Sequence, residues 1–319
     1  MKKINSLLAV LVAVLMASCS NDDIPMDKAV TFKINPSTVV NNLYEYTPGA
    51  LSSLDSDESL HVSLYVYNEA GVLVAKESQD FSDYTHVMNS VQNLGYGDFT
   101  VVATTHVTSS VDYWTFSGQQ NLSTFSVKDN GYIGGSGKIL GLTTQHVTIT
   151  ENTSDININV EIAGAVALAR CMNWNRYSDV EYFGIIANKS CDELTLDNQG
   201  ESHFSVDTKS DYAYYMIRWE YDSNYNGAYG YVFMFPMDNV KMSFMAEVTS
   251  GELLTIGNYC IDDIMLGHSY VFAYDVTDNA NYWEDMTYGG RSSKDVLEPS
   301  FENDKLFSNF GETKSRFTF

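Results

Sequence analysis

The sequence predicts an all-β protein organised as tandem antiparallel sandwiches. Three observations carry this. Apolar and polar residues alternate with period two in segment after segment along the chain, and that marks strands with one buried face. The composition favours strands, with 22 Tyr and 16 Phe among 319 residues and only 5 Pro. Helix-period stretches are scarce, and polar turns separate the strand candidates, which is the pattern of a sandwich rather than of a bundle.

The elements follow in order. Val30-Thr31-Phe32-Lys33-Ile34 alternates and opens the series. Residues 35–59 are rich in Ser, Asp and Asn and read as a long loop. His61 to Tyr67 alternates, Asn68-Glu69-Ala70-Gly71 turns, and Val72 to Ala75 returns. Gly71 supplies the positive φ such a turn needs. Phe81 to Val91 is the one short helix candidate. Strands are expected at Phe99 to Thr104, Gln145 to Thr150 and Ile156 to Ile162. The pattern then restarts at Gly164, with strands at 165–170, 181–186, 229–235, 240–248 and 269–276. The two halves are alike in kind, without a strict sequence repeat. The expected organisation is 1–18 signal peptide, 19–27 tether, 28–163 and 164–290 two sandwiches, and 291–319 a tail whose Arg316-Phe317-Thr318-Phe319 fits a last strand.

The first residues carry their own information. Lys2 and Lys3 precede an apolar run from Leu7 to Met16, about half of what a bilayer crossing needs, which reads as a secretory signal. Ala17 and Ser18 are small, and Cys19 follows them. This layout resembles a bacterial lipoprotein signal, cut between Ser18 and Cys19, with the Cys19 thiol receiving a diacylglyceryl group. Each buried methylene contributes about 0.8 kcal/mol, and two chains on one residue suffice for stable anchoring. Ser20-Asn21-Asp22-Asp23 resembles the surface-export signal of Bacteroidota lipoproteins.

Charge narrows the partners. The formal net charge is −23, and without the two signal lysines the chain holds 16 basic and 41 acidic residues, a net of −25. Such a surface repels phosphate backbones and a polybasic membrane contact alike. Nucleic acid is therefore not an expected partner, and the lipid has to do the anchoring. Three cysteines remain besides Cys19: Cys171, Cys191 and Cys260. No CxxC pair occurs. A Cys171–Cys191 disulfide and three buried thiols are equally compatible with the sequence.

Several motifs in this order resemble one known family. After the Cys19 segment come Val30-Thr31-Phe32, then Leu64 to Val74 with its Tyr67-Asn68-Glu69-Ala70-Gly71 hairpin, then Gly97-Asp98-Phe99-Thr100-Val101-Val102-Ala103. The set is similar to the FimB/Mfa2 family of fimbrial subunits in the fimbrillin superfamily of Bacteroidota, with Tyr-Asn in place of the usual Phe-Asp. The resemblance implies two tandem transthyretin-like antiparallel β-sandwich domains, fimbrillin subunits as partners and an open sheet edge that accepts a strand. It also implies a choice between a processed stalk subunit and an acylated anchor. No Arg precedes Arg170, so an arginine-directed cut near the first strand is impossible, which favours the anchor.

A second reading comes from the aromatic-rich stretch at 212–231. Exposed rings of Trp219, Tyr221 and Tyr225 would stack on sugar faces and make a glycan-binding lipoprotein; alternatively the rings fill the core and cover a hairpin. Asp55, Asp57 and Glu58, and Asp262 with Asp263, lack EF-hand spacing and read as solvated loops. The six histidines form no HExxH, and no nucleophile has an evident base, so catalytic residues, a metal and a cofactor are not expected. The expected protein is thus a non-enzymatic lipoprotein of the outer membrane, surface-exposed, within a fimbrium. Host or bacterial surface ligands are its further candidate partners.

Overall fold

A computed structural model describes residues 27–39, 54, 56–130, 139–173, 180–207, 213–217, 219–222, 227–250, 253–275 and 280–285. Strands dominate these residues. The first half runs β1 (Lys28–Asn35), β2 (Ser59–Asn68), β3 (Leu73–Phe81), β4 (Met88–Leu94), β5 (Gly97–Thr108), β6 (Trp114–Ser117), β7 (Ser126–Asp129), β8 (Gly141–Ile149) and β9 (Asp155–Asn159). The second half runs β10 (Ala165–Met172), β11 (Val180–Ala187), β12 (Ser190–Leu196), β13 (Ser202–Asp207), β14 (Ala213–Ile217), β15 (Trp219–Asp222), β16 (Gly227–Met234), β17 (Met237–Val248), β18 (Leu253–Ile264), β19 (Ser269–Asp275) and β20 (Ala280–Asp285).

The strand order reveals a repeat that the sequence hides. In the first half β3-β2-β5-β8 form one sheet and β4-β1-β9 the other. In the second half β14-β11-β17-β18 form one sheet, and β16-β10-β19 lie at the centre of the other. Thus β10 takes the place of β1, β11 of β2, β14 of β3, β16 of β4, β17 of β5, β18 of β8 and β19 of β9. Two tandem sandwiches of transthyretin-like type result. Each contains one parallel pair, β1 with β9 and β10 with β19, amid otherwise antiparallel ladders. A parallel pair needs a long crossover, and here the rest of each sandwich is that crossover.

Alternation explains the first core. Val30, Phe32 and Ile34 of β1 are fully buried and face Leu60, Val62, Leu64 and Val66 of β2 across the sandwich. Gly71 has φ +73° at the β2–β3 turn, the left-handed conformation its position demands. Gly164 joins the halves where a Cβ would lie 2.5 Å from the Met234 carbonyl oxygen, so only glycine fits.

What the halves add to the repeat is a shared sheet. β6 and β7 are inserted before β8, and β12 and β13 before β14. These four strands pair as β13-β12-β7-β6, with Leu194 opposite Val127 across the junction. The Phe125 carbonyl oxygen accepts from the Leu196 amide at 3.0 Å. Trp114 of β6 packs on Phe233 and Phe235 with ring centroids 5.5 Å apart in both cases, and Phe204 of β13 adds to Phe235 at 5.6 Å. The two sandwiches are therefore sewn together by backbone and by aromatic rings.

One expectation is corrected. Phe81 to Val91 is not a helix: β3 ends at Phe81, Asp83 holds the Thr85 amide and hydroxyl in a turn, and β4 begins at Met88. Tertiary pairing with β1 overrides a weak local helical period. Of the two states left open by the sequence for Cys171 and Cys191, the structure has free buried thiols. Burial pushes both thiols up to about 12. The pattern also missed β4, β6, β7, β12, β13, β14, β15, β18 and β20.

Candidate functional site

The first sandwich presents two sheet edges that its counterpart covers. In the second sandwich β15 flanks β16 and β20 flanks β19. In the first, β4 and β9 are the outermost strands of their sheet, and among the described residues no strand lies beside either. The free backbone groups of such edges are hydrogen-bonding templates for another chain.

β1 lies at the centre of this sheet. It pairs antiparallel with β4, from Lys28 opposite Leu94 to Ile34 opposite Met88, and parallel with β9. Side chains reinforce the β9 side. The Lys33 ammonium lies 3.0 Å from the Asp155 carboxylate, and Lys28 donates to the Glu151 carbonyl at 2.7 Å. The Lys33 hydrogen bond holds the Asp155 carboxyl below its ordinary value, with Ser154 helping.

The two open sides of the first sandwich differ. Between β3 and β4 the Glu77 carboxylate accepts from Ser90 and, at 2.9 Å, from Gln92, so polar side chains close that gap. Between β8 and β9, among the described residues, no such staple reaches Asp155–Asn157. Val147 and Phe99 are only partly buried there although they pack on the core. Only the far end of β9 is tied down: Thr143 donates its hydroxyl to the Asn159 carbonyl and accepts from the Glu161 amide.

The outer face of the β3-β2-β5-β8 sheet is covered by the shared sheet. Tyr65 meets Phe125 edge-on at 5.3 Å, and the Tyr67 hydroxyl donates to the Gln119 carbonyl at 3.0 Å. His106 sits between His61, at 5.0 Å, and Phe116, at 4.8 Å. Its Nδ1 is buried without a hydrogen-bond partner. Desolvation, with the nearby His61, pushes its pKa down to about 3. His61 instead keeps a partner, Asp80, at 2.6 Å. His106 is thus a neutral packing element beneath aromatic rings.

The residues singled out in the sequence are not gathered here. Ser18 and Cys19 lie outside the described residues, as does Tyr225. Trp219 and Tyr221 fall on β15, opposite Gly230 and Ala228 of β16, and their side chains lie outside the description. β15 and β16 pair antiparallel up to Asp222 opposite Gly227, and residues 223–226 between them lie outside the described residues. The bare edges went unnoticed in the sequence because strand order is a long-range property. Among the described residues no helix is long and apolar enough to cross a membrane.

No protein-family model matches the sequence, and no curated protein matches it. Solved structures do share its architecture. A candidate polysaccharide-binding protein from Bacteroides thetaiotaomicron is 12% identical, with a TM-score of 0.49, over 82% of this chain and 96% of its own. A candidate cell adhesion protein from Bacteroides uniformis is 9% identical, with a TM-score of 0.49, over 79% and 94%. The fimbrial anchor protein Mfa2 from Porphyromonas gingivalis is 10% identical, with a TM-score of 0.42, over 82% and 98%.

Proposed function

We propose that the chain is a surface lipoprotein, acylated on Cys19, that anchors a fimbria or joins it as a minor accessory subunit and engages pilin subunits by β-strand addition. In this reading residues 28–163 and 164–290 are its two domains, and the tether leads straight from the lipid into the fold. The observation that carries the reading is the position of β1. It follows the tether directly, it is hydrogen-bonded on both sides, and its Val30, Phe32 and Ile34 are fully buried. A lipid fixed at Cys19 would therefore pull on the centre of a sheet.

The basic residues nearby agree with retention of this strand. Lys28 stands at its start, so a cut there would leave the strand in place. Lys33 lies inside it and is paired with Asp155. Losing β1 would remove the central strand and three core side chains, each contributing about 1.5–3 kcal/mol. A stalk subunit that sheds this strand fits the chain less well than an anchor that keeps it.

The test combines palmitate labelling with determination of the mature N-terminus. Label on the wild type, none on Cys19→Ala, and a chain that still contains Val30 are expected. A mature N-terminus beyond β1 on assembled fimbriae reverses the anchor assignment, and absence of label removes the lipoprotein.

A further inference from the structure

We infer that the outer edge of β9 is the place where this protein receives a strand from a second polypeptide, an inference that rests on the fimbrial reading above. The argument begins with the internal comparison. In the second sandwich β20 lies antiparallel to β19, from Tyr270 opposite Asp285 to Asp275 opposite Ala280. The corresponding position beside β9 holds no strand among the described residues. The following chain cannot fill it, because only residues 160–164 separate β9 from β10. That short link is committed elsewhere: the Leu142 amide donates to the Glu161 carbonyl, and the Ala163 amide to the Leu140 carbonyl.

The backbone of β9 is aimed for such an addition. Ser154 accepts from the Thr31 amide at one end of the parallel ladder, and the Val160 amide donates to the Asn35 carbonyl at the other. Alternate residues of β9 therefore bond to β1, and the amides and carbonyls of Asp155 and Asn157 point the opposite way. Both residues are exposed.

The surroundings describe the occupant. It is an extended segment running antiparallel to β9. Residues facing the sandwich would be apolar, covering the partly buried Val147 and Phe99. Residues facing outward would be basic, near the exposed Glu151 and Glu161 at either end of β9, on a chain whose net charge is −23. β4, the other bare edge, is the weaker acceptor, because Glu77 already closes its side.

The experiment measures binding of purified fimbriae to the full-length protein, wild type and variants. Asn157→Pro removes an outward amide without costing a bond to β1, and an edge strand tolerates proline. Asn157→Lys keeps the amide and changes only the side chain. At least tenfold weaker binding by the proline variant, with the lysine variant within twofold of wild type, is expected. Equal binding by the proline variant overturns the inference and leaves the fimbrial reading standing. Equal loss in both variants overturns main-chain pairing. A wild type that binds no fimbriae overturns the reading and the inference together.

Should circular dichroism show that the proline variant is unfolded, a photo-crosslinker decides. It is placed on Asn157→Cys and, separately, on Asn89→Cys of β4. Cross-linking to the fimbrial subunit from position 157 supports the inference. Cross-linking from position 89 alone, or from neither, overturns it.

Discussion

The β16-β10-β19 sheet of the second sandwich is flanked by a strand on each side, whereas the β4-β1-β9 sheet of the first ends in bare strands. The seven shared strands are placed identically, so the difference lies in how each edge is managed. The second sandwich uses backbone: β15 comes from the connection leading into β16, and β20 from the chain after β19. The first has short connections at both places and uses side chains instead. β9 is brief and exposes Asp155, Asn157 and Asn159, while Glu77 bridges to β4. Short, polar edges discourage indiscriminate pairing. One topology thus yields a unit flanked on both sides and, in our proposal, a receptive one.

The strongest way to break this comparison is to separate the two units. Trp114 belongs to the first half in sequence but packs on Phe233 and Phe235 of the second. Trp114→Ala should cost about 3–5 kcal/mol. Calorimetry should then resolve two melting transitions where the wild type gives one. A single transition at an unchanged temperature would mean that the shared sheet couples the sandwiches without this ring.

Acid should act on the receptive unit first. Folded His106 stays neutral down to about pH 3, against an ordinary value of 6.5, because it is desolvated beside His61. The unfolded chain takes up that proton below pH 6.5. Stability is therefore intact above pH 6.5 and falls toward pH 3, by at most about 1.4 kcal/mol per unit. His106→Gln should flatten this part of the profile in denaturant titrations. An identical slope in the variant would show that other groups carry the acid response.

Much of the fold was legible because it is written in local alternation. β1, β2 and β5 read directly as strands, since each has an apolar face at every second position. β4 did not, because Met88 and Ser90 point inward while Val91 is exposed, so its pattern is mixed. β6, β7, β12 and β13 are short and gain their burial from residues distant in sequence, such as Phe233, Phe235 and His106, so no local pattern betrays them. The candidate site was illegible for a deeper reason. An edge is defined by which strand is missing beside it, and β9 differs from β19 only through β20, far along the chain.

Glu77 tests whether side chains really substitute for β15. Glu77→Ala takes from Ser90, which is fully buried, the acceptor of its hydroxyl proton and leaves it only the bond it accepts from the Gln92 amide. A buried hydroxyl proton left without an acceptor costs about 1–3 kcal/mol. Amide exchange in β4 should quicken while exchange in β16 stays as it was. Equal protection in β4 before and after the substitution would show that the edge is stable without the staple.

The mildest intervention is at the β2–β3 turn. Gly71 adopts φ +73°, its amide donates to the Asn68 carbonyl, and its own carbonyl accepts from Leu122 of the connection between β6 and β7. A Cβ there would meet only the Leu122 Cβ, at 3.7 Å, so space is not the obstacle. Backbone strain is, at about 1–2 kcal/mol for a non-glycine residue. Gly71→Ala should therefore lower the stability of the protein by that amount in denaturant titrations. Gly71→Asn should recover part of the loss, since asparagine tolerates this conformation. If alanine and asparagine destabilise equally, the cost comes from the contact with Leu122 and not from the backbone. In that event the hairpin and the inserted connection behave as one packed unit, and the receptive sandwich reaches further into the shared sheet than its strand order alone implies.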